Sequence, residues 1–272
     1  MRIDGQALAE AILSDLTGKV TSLKEQGRVP TLAVILVGDD AESLAYIRQK
    51  QKITERIGGR FIFEHLPGAT QPKELAARIA MYNTDPAVHG LIVQRPVPIE
   101  GDTTAILNTV AAQKDVDGFI PDSPYDVPIA TAVLDILESI HVDFTNKNIV
   151  IVGRGDTAGK PIASAFAKRH CTTSIVHSQS QDPQKIMRSA DILISCVGKE
   201  RVVTAPAVKP DAVLISVGLW RASDGKLRGD YVEDEVKDIA AYYTPTPGGV
   251  GPLNIASLMQ NLVYAARSQA PS

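Results

Sequence analysis

Apolar residues follow two alternating patterns along this chain: a three-to-four spacing and short unbroken runs. The first spacing sits behind Asp4, a residue able to cap a helix, and places Leu8, Ile12, Leu16, Val20 and Leu23 on one helical face. Thr31–Val37 is an unbroken β-rich run of the kind expected in a parallel strand covered on both faces. A helix is predicted from about Ala41 to Ile57, stopped by Gly58-Gly59. A strand near Phe61–Leu66, a helix near Lys73–Asn83, a strand at Gly90–Gln94 and a helix near Thr103–Ala112 follow.

The segment Asp117–Pro128, rich in Pro, Asp and Gly, breaks the pattern and marks a domain boundary. A helix near Ala130–Ser139 then leads into strands at Ile149–Val152, Thr173–His177, Asp191–Cys196 and Val213–Val217, with a further candidate at Ala241–Thr244. Strands alternating with helices imply βαβ units and mostly parallel sheets, so the fold class is α/β with two domains. A last helix is expected after Pro252, with Ile255, Leu258, Leu262 and Ala265 on one face. Periodicity leaves open whether it covers the second domain or returns to the first.

Composition narrows the function classes. The net charge of −3 argues against a nucleic-acid or anionic-membrane partner, because either favours a basic face. The two cysteines, Cys171 and Cys196, lie in apolar stretches without ligand spacing, so no metal is expected and a reducing compartment is the default. The longest apolar run, Leu32–Val37, is too short to span a bilayer, and the first residues lack the order of a signal peptide. A cytoplasmic protein is the expectation.

Two regions carry chemistry. In the second half, the strand ending at Val152 runs straight into Gly153-Arg154-Gly155-Asp156-Thr157-Ala158-Gly159 and then a helix. Strand, glycine turn and helix together let bare backbone approach a pyrophosphate, with helix N-terminal amides as donors. The spacing is one residue longer than the usual dinucleotide fingerprint. The next strand ends at His177-Ser178, with no carboxylate for the ribose hydroxyls that NAD enzymes bind, while Arg154 offers a cation for a 2′-phosphate. NADP is therefore expected over NAD. The alternative leaves Arg154 a solvated loop residue and His177 a hydrogen-bonded strand end.

In the first half, helix 41–57 carries Ser43, Tyr46 and Lys50, each within one turn of the next, with Lys52 pointing elsewhere. An aromatic ring beside an amine can stack a flat substrate and move a proton; by itself the same pattern also fits a surface helix with a snorkelling lysine. Gln94 ends an apolar strand ahead of the turn Arg95-Pro96-Val97-Pro98, placing it where ligands bind in open α/β sheets. Lys114-Asp115-Val116-Asp117-Gly118 puts carboxylates in a tight turn, and Thr244–Pro252 combines prolines that hold shape with glycines that permit close approach.

The stretches VGDDAESLAYIRQKQK, GLIVQRPVP, KDVDGF, IVGRGDTAGKP and TPTPGGVGP, in this order, resemble the bifunctional methylenetetrahydrofolate dehydrogenase/methenyltetrahydrofolate cyclohydrolase family over about residues 5 to 265. The resemblance implies a folate-binding catalytic domain (1–127 with 249–272), a Rossmann-like NADP-binding domain (128–248) and a cleft between them. It implies NADP-linked oxidation of 5,10-methylenetetrahydrofolate and hydrolysis of the product to the 10-formyl form, usually in a homodimer. Lys50 matches the central catalytic residue, Tyr46 the ring stacked on folate, Gln94 the lysine's partner and Asp117 the aspartate on the pterin's amino-pyrimidine edge. Val93 and Arg95 flank Gln94, and Pro247, Gly248, Gly249, Val250, Gly251 and Pro252 match the loop that closes over substrate. Gly153, Arg154, Gly155, Asp156, Gly159, His177, Ser178 and Leu219 match the cofactor site.

The chain departs from the family pattern in several places. Pro128-Ile-Ala-Thr-Ala-Val133 stands where a Pro-Cys-Thr-Pro-x-Gly stretch is usual, after a shorter linker; Gly155 replaces a common serine, Arg95 an apolar residue and Asn254 a threonine. Substrate affinity, or the balance of the two activities, is where these changes would act. Two alternatives stay open: an NADP dehydrogenase for another small substrate, since enzymes such as shikimate dehydrogenase share the two-domain plan, and a relative that binds folate or NADP without turnover.

Overall fold

The computed structural model describes residues 1–269. Helix α1 (Gly5–Glu25) opens the chain, with the Ala7 N–H donating to the Asp4 carboxylate at 2.9 Å. Its buried face is Ala9, Leu13, Leu16, Val20 and Leu23, while Leu8 and Ile12 are only partly covered. The expected stripe drifts because each four-residue step overshoots one helical turn by about 40°.

β1 (Thr31–Val37) is buried at every position, α2 (Ala41–Arg56) follows, and β2 (Arg60–Leu66) pairs parallel to β1 with Val37 opposite Leu66. After α3 (Pro72–Thr84), β3 (Gly90–Val93) pairs on the other side of β1 with Val93 opposite Ile35, giving the order β2-β1-β3. All three strands therefore end at one edge, where Gly38, Pro67 and Gln94 leave the sheet. The helix expected over 103–112 is only a single turn, α4 (Thr104–Leu107), followed by a 3-10 turn at Ala112–Lys114. Asn83 explains the break: its side chain donates to Thr109 O and accepts from the Ala111 N–H, taking up backbone groups that a continuing helix would need.

α5 (Pro128–Ser139) starts the second series, which continues through β4 (Ile149–Val152), α6 (Gly159–Lys168), β5 (Thr173–Val176), α7 (Pro183–Arg188), β6 (Ile192–Ser195) and β7 (Val213–Ser216). A short antiparallel pair, β8 (Trp220–Arg221) and β9 (Leu227–Arg228), precedes α8 (Glu233–Val236) and β10 (Tyr242–Tyr243). The five long-range strands form a parallel sheet of order β10-β7-β6-β4-β5. Chain direction across this sheet reverses between β4 and β6, the switch point of a doubly wound fold.

α9 (Val250–Ser268) begins three residues before its expected start, and Pro252 sits in its first turn, where a missing N–H costs no helical bond. The chain divides into two compact units: Ala11–Pro128 with the chain from Ile255 onward, and Met1–Glu10 with Ile129–Asn254. Residues 1–10 fall in the second unit because the Ile3 N–H donates to Tyr243 O at 2.8 Å and Arg2 bridges to Tyr243. From Ile255 on, α9 returns to the first unit: Asn261 Nδ2 donates to Val116 O at 2.9 Å and Asp126 O at 3.1 Å, and Gln269 Nε2 to His89 O and Gln113 O. Among the described residues no helix is long and apolar enough to cross a membrane.

Candidate active site

In the first unit, Asp40 starts α2 immediately beyond β1 by accepting from the Ser43 N–H at 2.8 Å. That start sets the rotation of the helix, and Lys50 ends on its inner side. Lys50 is 2% exposed, and its Nζ donates to Gln94 Oε1 at 3.0 Å and lies 4.6 Å from the centre of the Tyr46 ring. The snorkelling alternative is thereby removed; Lys52, two residues on, is the exposed lysine. Gln94 is held the right way round because its Nε2 donates to Arg95 O at 3.0 Å, leaving Oε1 to face the amine. Burial pulls the Lys50 pKa below its ordinary value, opposed by the Asp117 carboxylate. Burial, helped by the same carboxylate, pushes the Tyr46 hydroxyl up, so the phenol stays neutral.

The KDVDG turn closes on the Gly118 N–H, which donates to Asp115 O at 2.9 Å, with Gly118 at φ +73°. Asp115 is the carboxylate that the sequence reading did not single out. It is buried and accepts from the Ile120 N–H at 3.0 Å, and burial raises its pKa to about 6 despite that bond. Asp115, Asp117, Phe119, Arg95 and Val93 line a partly open hollow at the end of β3. Arg95 itself is exposed, its guanidinium 4.7 Å above the Phe119 ring.

In the second unit, β4 runs into Gly153 at φ +106°, a conformation that L side chains rarely adopt. A Cβ there would also lie 3.1 Å from Cys196 O, and one on Gly159 only 2.2 Å from Gly153 O, so both glycines are needed to close the turn. Gly155 faces open space, with nothing within 4 Å of an added Cβ. Arg154 is exposed and its guanidinium donates to Gln179 Oε1 at 3.3 Å, while Asp156 pairs with Lys160 at 2.6 Å. His177 caps the turn after β5: its ring Nδ1 accepts from the Gln179 N–H and its own N–H donates to Ser180 Oγ. Ser178 and Leu219 are exposed at the ends of β5 and β7.

The loop after β10 is fixed from inside. Buried Thr244 accepts from the Ser216 N–H through Oγ1 at 2.8 Å and from the Tyr231 hydroxyl through its carbonyl at 2.5 Å. A Cβ on Gly249 would strike Pro245 O at 2.5 Å, and one on Gly5 would strike Gly249 O. Gly249 therefore serves the chain's own packing, whereas Gly248, at φ +96°, and Gly251 face open space and Pro247 is exposed.

One residue escaped the sequence reading altogether. Asp230 is fully buried and its carboxylate collects the Ser195 hydroxyl and three successive backbone amides, from Val197, Gly198 and Lys199. It follows Gly229, where a Cβ would strike Ser216 Oγ and Thr246 Oγ1.

The doubly wound sheet with its glycine turn, and a separate unit carrying a buried lysine, define a two-unit α/β enzyme of the dinucleotide-binding type. The chain belongs to the tetrahydrofolate dehydrogenase/cyclohydrolase family: residues 3–117 match its catalytic domain and residues 128–270 its NAD(P)-binding domain. It is 42% identical to the bifunctional protein FolD of Geobacillus thermodenitrificans, across 98% of both chains. The bifunctional FolD methylenetetrahydrofolate dehydrogenase/cyclohydrolase of Campylobacter jejuni superposes with a TM-score of 0.95 at 33% identity, 99% of each chain being covered. The Trypanosoma brucei methylenetetrahydrofolate dehydrogenase-cyclohydrolase, solved with NADP cofactor and an inhibitor, gives a TM-score of 0.92 at 31% identity, covering 100% of this chain and 99% of that one.

Proposed function

We propose that this enzyme oxidises 5,10-methylenetetrahydrofolate to the 5,10-methenyl form with NADP and hydrolyses that product to 10-formyltetrahydrofolate. The observation that carries the reading is the buried amine of Lys50, hydrogen-bonded to Gln94 and set against the Tyr46 ring, in a chain that matches both domains of the family. Dehydrogenation leaves a delocalised methenyl cation on the folate. A charged lysine would repel that cation; a neutral amine can instead take the proton released when water adds to the methenyl carbon. As the bond from that carbon to N5 breaks, the adduct's hydroxyl proton passes to N5 and the formyl group is left on N10. Burial of Lys50 favours the neutral form that this role needs.

In this reading Tyr46 stacks on the pterin, Gln94 orients the amine, and Asp117 accepts from the pterin's amino-pyrimidine edge. Val93, Arg95 and the segment from Pro247 through Gly248, Gly249, Val250 and Gly251 to Pro252 provide further substrate contacts. The closed turn at Gly153 and Gly159, with open space over Gly155, fits a pyrophosphate laid on bare backbone. Gly153, Gly155, Asp156 and Gly159 would hold the pyrophosphate region of NADP, Arg154, His177 and Ser178 its adenosine end, and Leu219 its nicotinamide end. NADP supplies the hydride acceptor. A homodimer and a cytoplasmic location complete the proposal, on the strength of the family resemblance.

The test is to supply methylenetetrahydrofolate with NADP, follow reduced nicotinamide and methenyl absorbance separately, and repeat with Lys50→Met. Turnover in the wild type and loss of hydrolysis in the variant are expected. Near-normal hydrolysis by the variant would remove Lys50 from its role; a wild type that binds without turnover would favour a binding protein, and one that neither binds nor turns over would point to another substrate.

A further inference from the structure

We propose that Asp230 is a positioning residue that shapes the wall against which the nicotinamide nucleoside of NADP binds; the inference rests on the reading that a dinucleotide occupies the Gly153 turn. Oδ2 of Asp230 accepts from Ser195 Oγ at 2.6 Å and the Val197 N–H at 2.9 Å, and Oδ1 accepts from the Gly198 N–H at 2.7 Å and the Lys199 N–H at 3.0 Å. Its own N–H donates to Ser216 Oγ at 3.0 Å, so one residue ties the end of β6 to the end of β7. The space around it is filled: a Cβ on Gly218 would lie 2.3 Å from Asp230 Oδ2 and 2.3 Å from Gly198 N.

The consequence lies on the other side of the peptide planes. In a trans peptide the N–H and the C=O point in opposite directions. With the amides of 197, 198 and 199 turned in to the carboxylate, the carbonyls of Cys196, Val197 and Gly198 are turned away from it. One of them can be located: Cys196 O is the atom that an added Cβ on Gly153 would meet at 3.1 Å, so it faces the glycine turn. Three carbonyl acceptors beyond the carboxyl end of β6, beside the switch point, suit a ligand that donates through hydroxyls or an amide N–H. A nicotinamide riboside has both. Arg154, Gln179 and Ser178 lie on the β5 side of the turn, which assigns the adenosine end there and leaves the β6–β7 side for the nicotinamide end.

Asp230→Asn tests this, because an amide nitrogen would then face two of the four donors. Calorimetric titration with NADP and with adenosine 2′,5′-bisphosphate, a probe confined to the adenosine end, separates positioning from a general structural role. The Kd for NADP should rise about tenfold or more, as expected for loss of a buried charge-assisted set of hydrogen bonds, while that for the bisphosphate stays within about twofold. Parallel weakening of both ligands, or no change in either, would overturn the inference. If Asp230→Asn does not fold, Ser195→Ala, which removes one donor of the four, is titrated in the same way: selective weakening of NADP by about threefold supports the inference and equal effects overturn it. A wild type that binds neither probe would overturn the dinucleotide reading, and this inference with it.

Discussion

The amine of Lys50 and the side-chain oxygen of Gln94, 44 residues apart in the chain, are 3.0 Å from each other. The bond places a buried nitrogen of lowered pKa at the end of β3 and fixes the direction of one of its protons. Gln94 can do this because its own nitrogen is already committed to the carbonyl of Arg95. Removing either partner therefore has different effects on chemistry and on stability.

Lys50→Met should lower hydrolysis by about two to four orders of magnitude, the range for loss of a general base. Its effect on stability depends on pH. The folded-state pKa of Lys50 lies below 10.5, so unfolding takes up a proton between the lowered value and 10.5, and wild-type stability gains from this group as pH rises through that window. The variant lacks that gain. Urea denaturation at pH 7 and pH 10 should show wild type improving relative to Lys50→Met at the higher pH.

Asp115 titrates in the opposite sense to an ordinary carboxylate pair. Burial raises its folded pKa to about 6 from 3.8, so the folded protein binds the proton more tightly, and stability from this group is lost as pH rises from 3.8 through 6. Asp115→Asn keeps an oxygen for the Ile120 N–H without the charge. Its unfolding midpoint should exceed that of wild type by more at pH 7 than at pH 4, measured by thermal melting.

The two glycines of the cofactor turn should part company. Gly153→Ala forces a side chain into φ +106° and against Cys196 O, at a backbone cost of about 1–3 kcal/mol, and should raise the NADP KM at least about tenfold. Gly155→Ser meets nothing within 4 Å and should leave that KM within about twofold. Steady-state kinetics of both variants decide it.

Asn261 joins α9 to two backbone carbonyls of the first unit, Val116 O and Asp126 O. Asn261→Ala should destabilise the protein by about 1–3 kcal/mol, read from chemical denaturation, because both carbonyls lose a donor at once.

Much of the fold is legible along the chain because local rules govern it. The run Thr31–Val37, apolar from Leu32 on, had to be a covered strand, and the glycine turn after Val152 had to be tight. Where a distant residue intervenes, local reading fails. Thr103–Ala112 has helical spacing, yet Asn83 from another helix claims the backbone groups that would have extended it. Leu8 and Ile12 fit a stripe on paper, but the neighbours of α1 cover Ala9 and Leu13 instead.

The amino-acid order by itself determined the alternation of strands and helices, the class of both sheets, the glycine turn and the motifs that carry the family likeness. Periodicity and backbone sterics act over a few residues, and those features need nothing more. Tertiary structure alone decided that Lys50 is desolvated instead of snorkelling, that α9 returns to the first unit, and that Asp230 gathers the strand ends beside the glycine turn. Each of these depends on which groups lie nearby in space, since protonation and hydrogen bonding answer to the local dielectric and to partners tens of residues away.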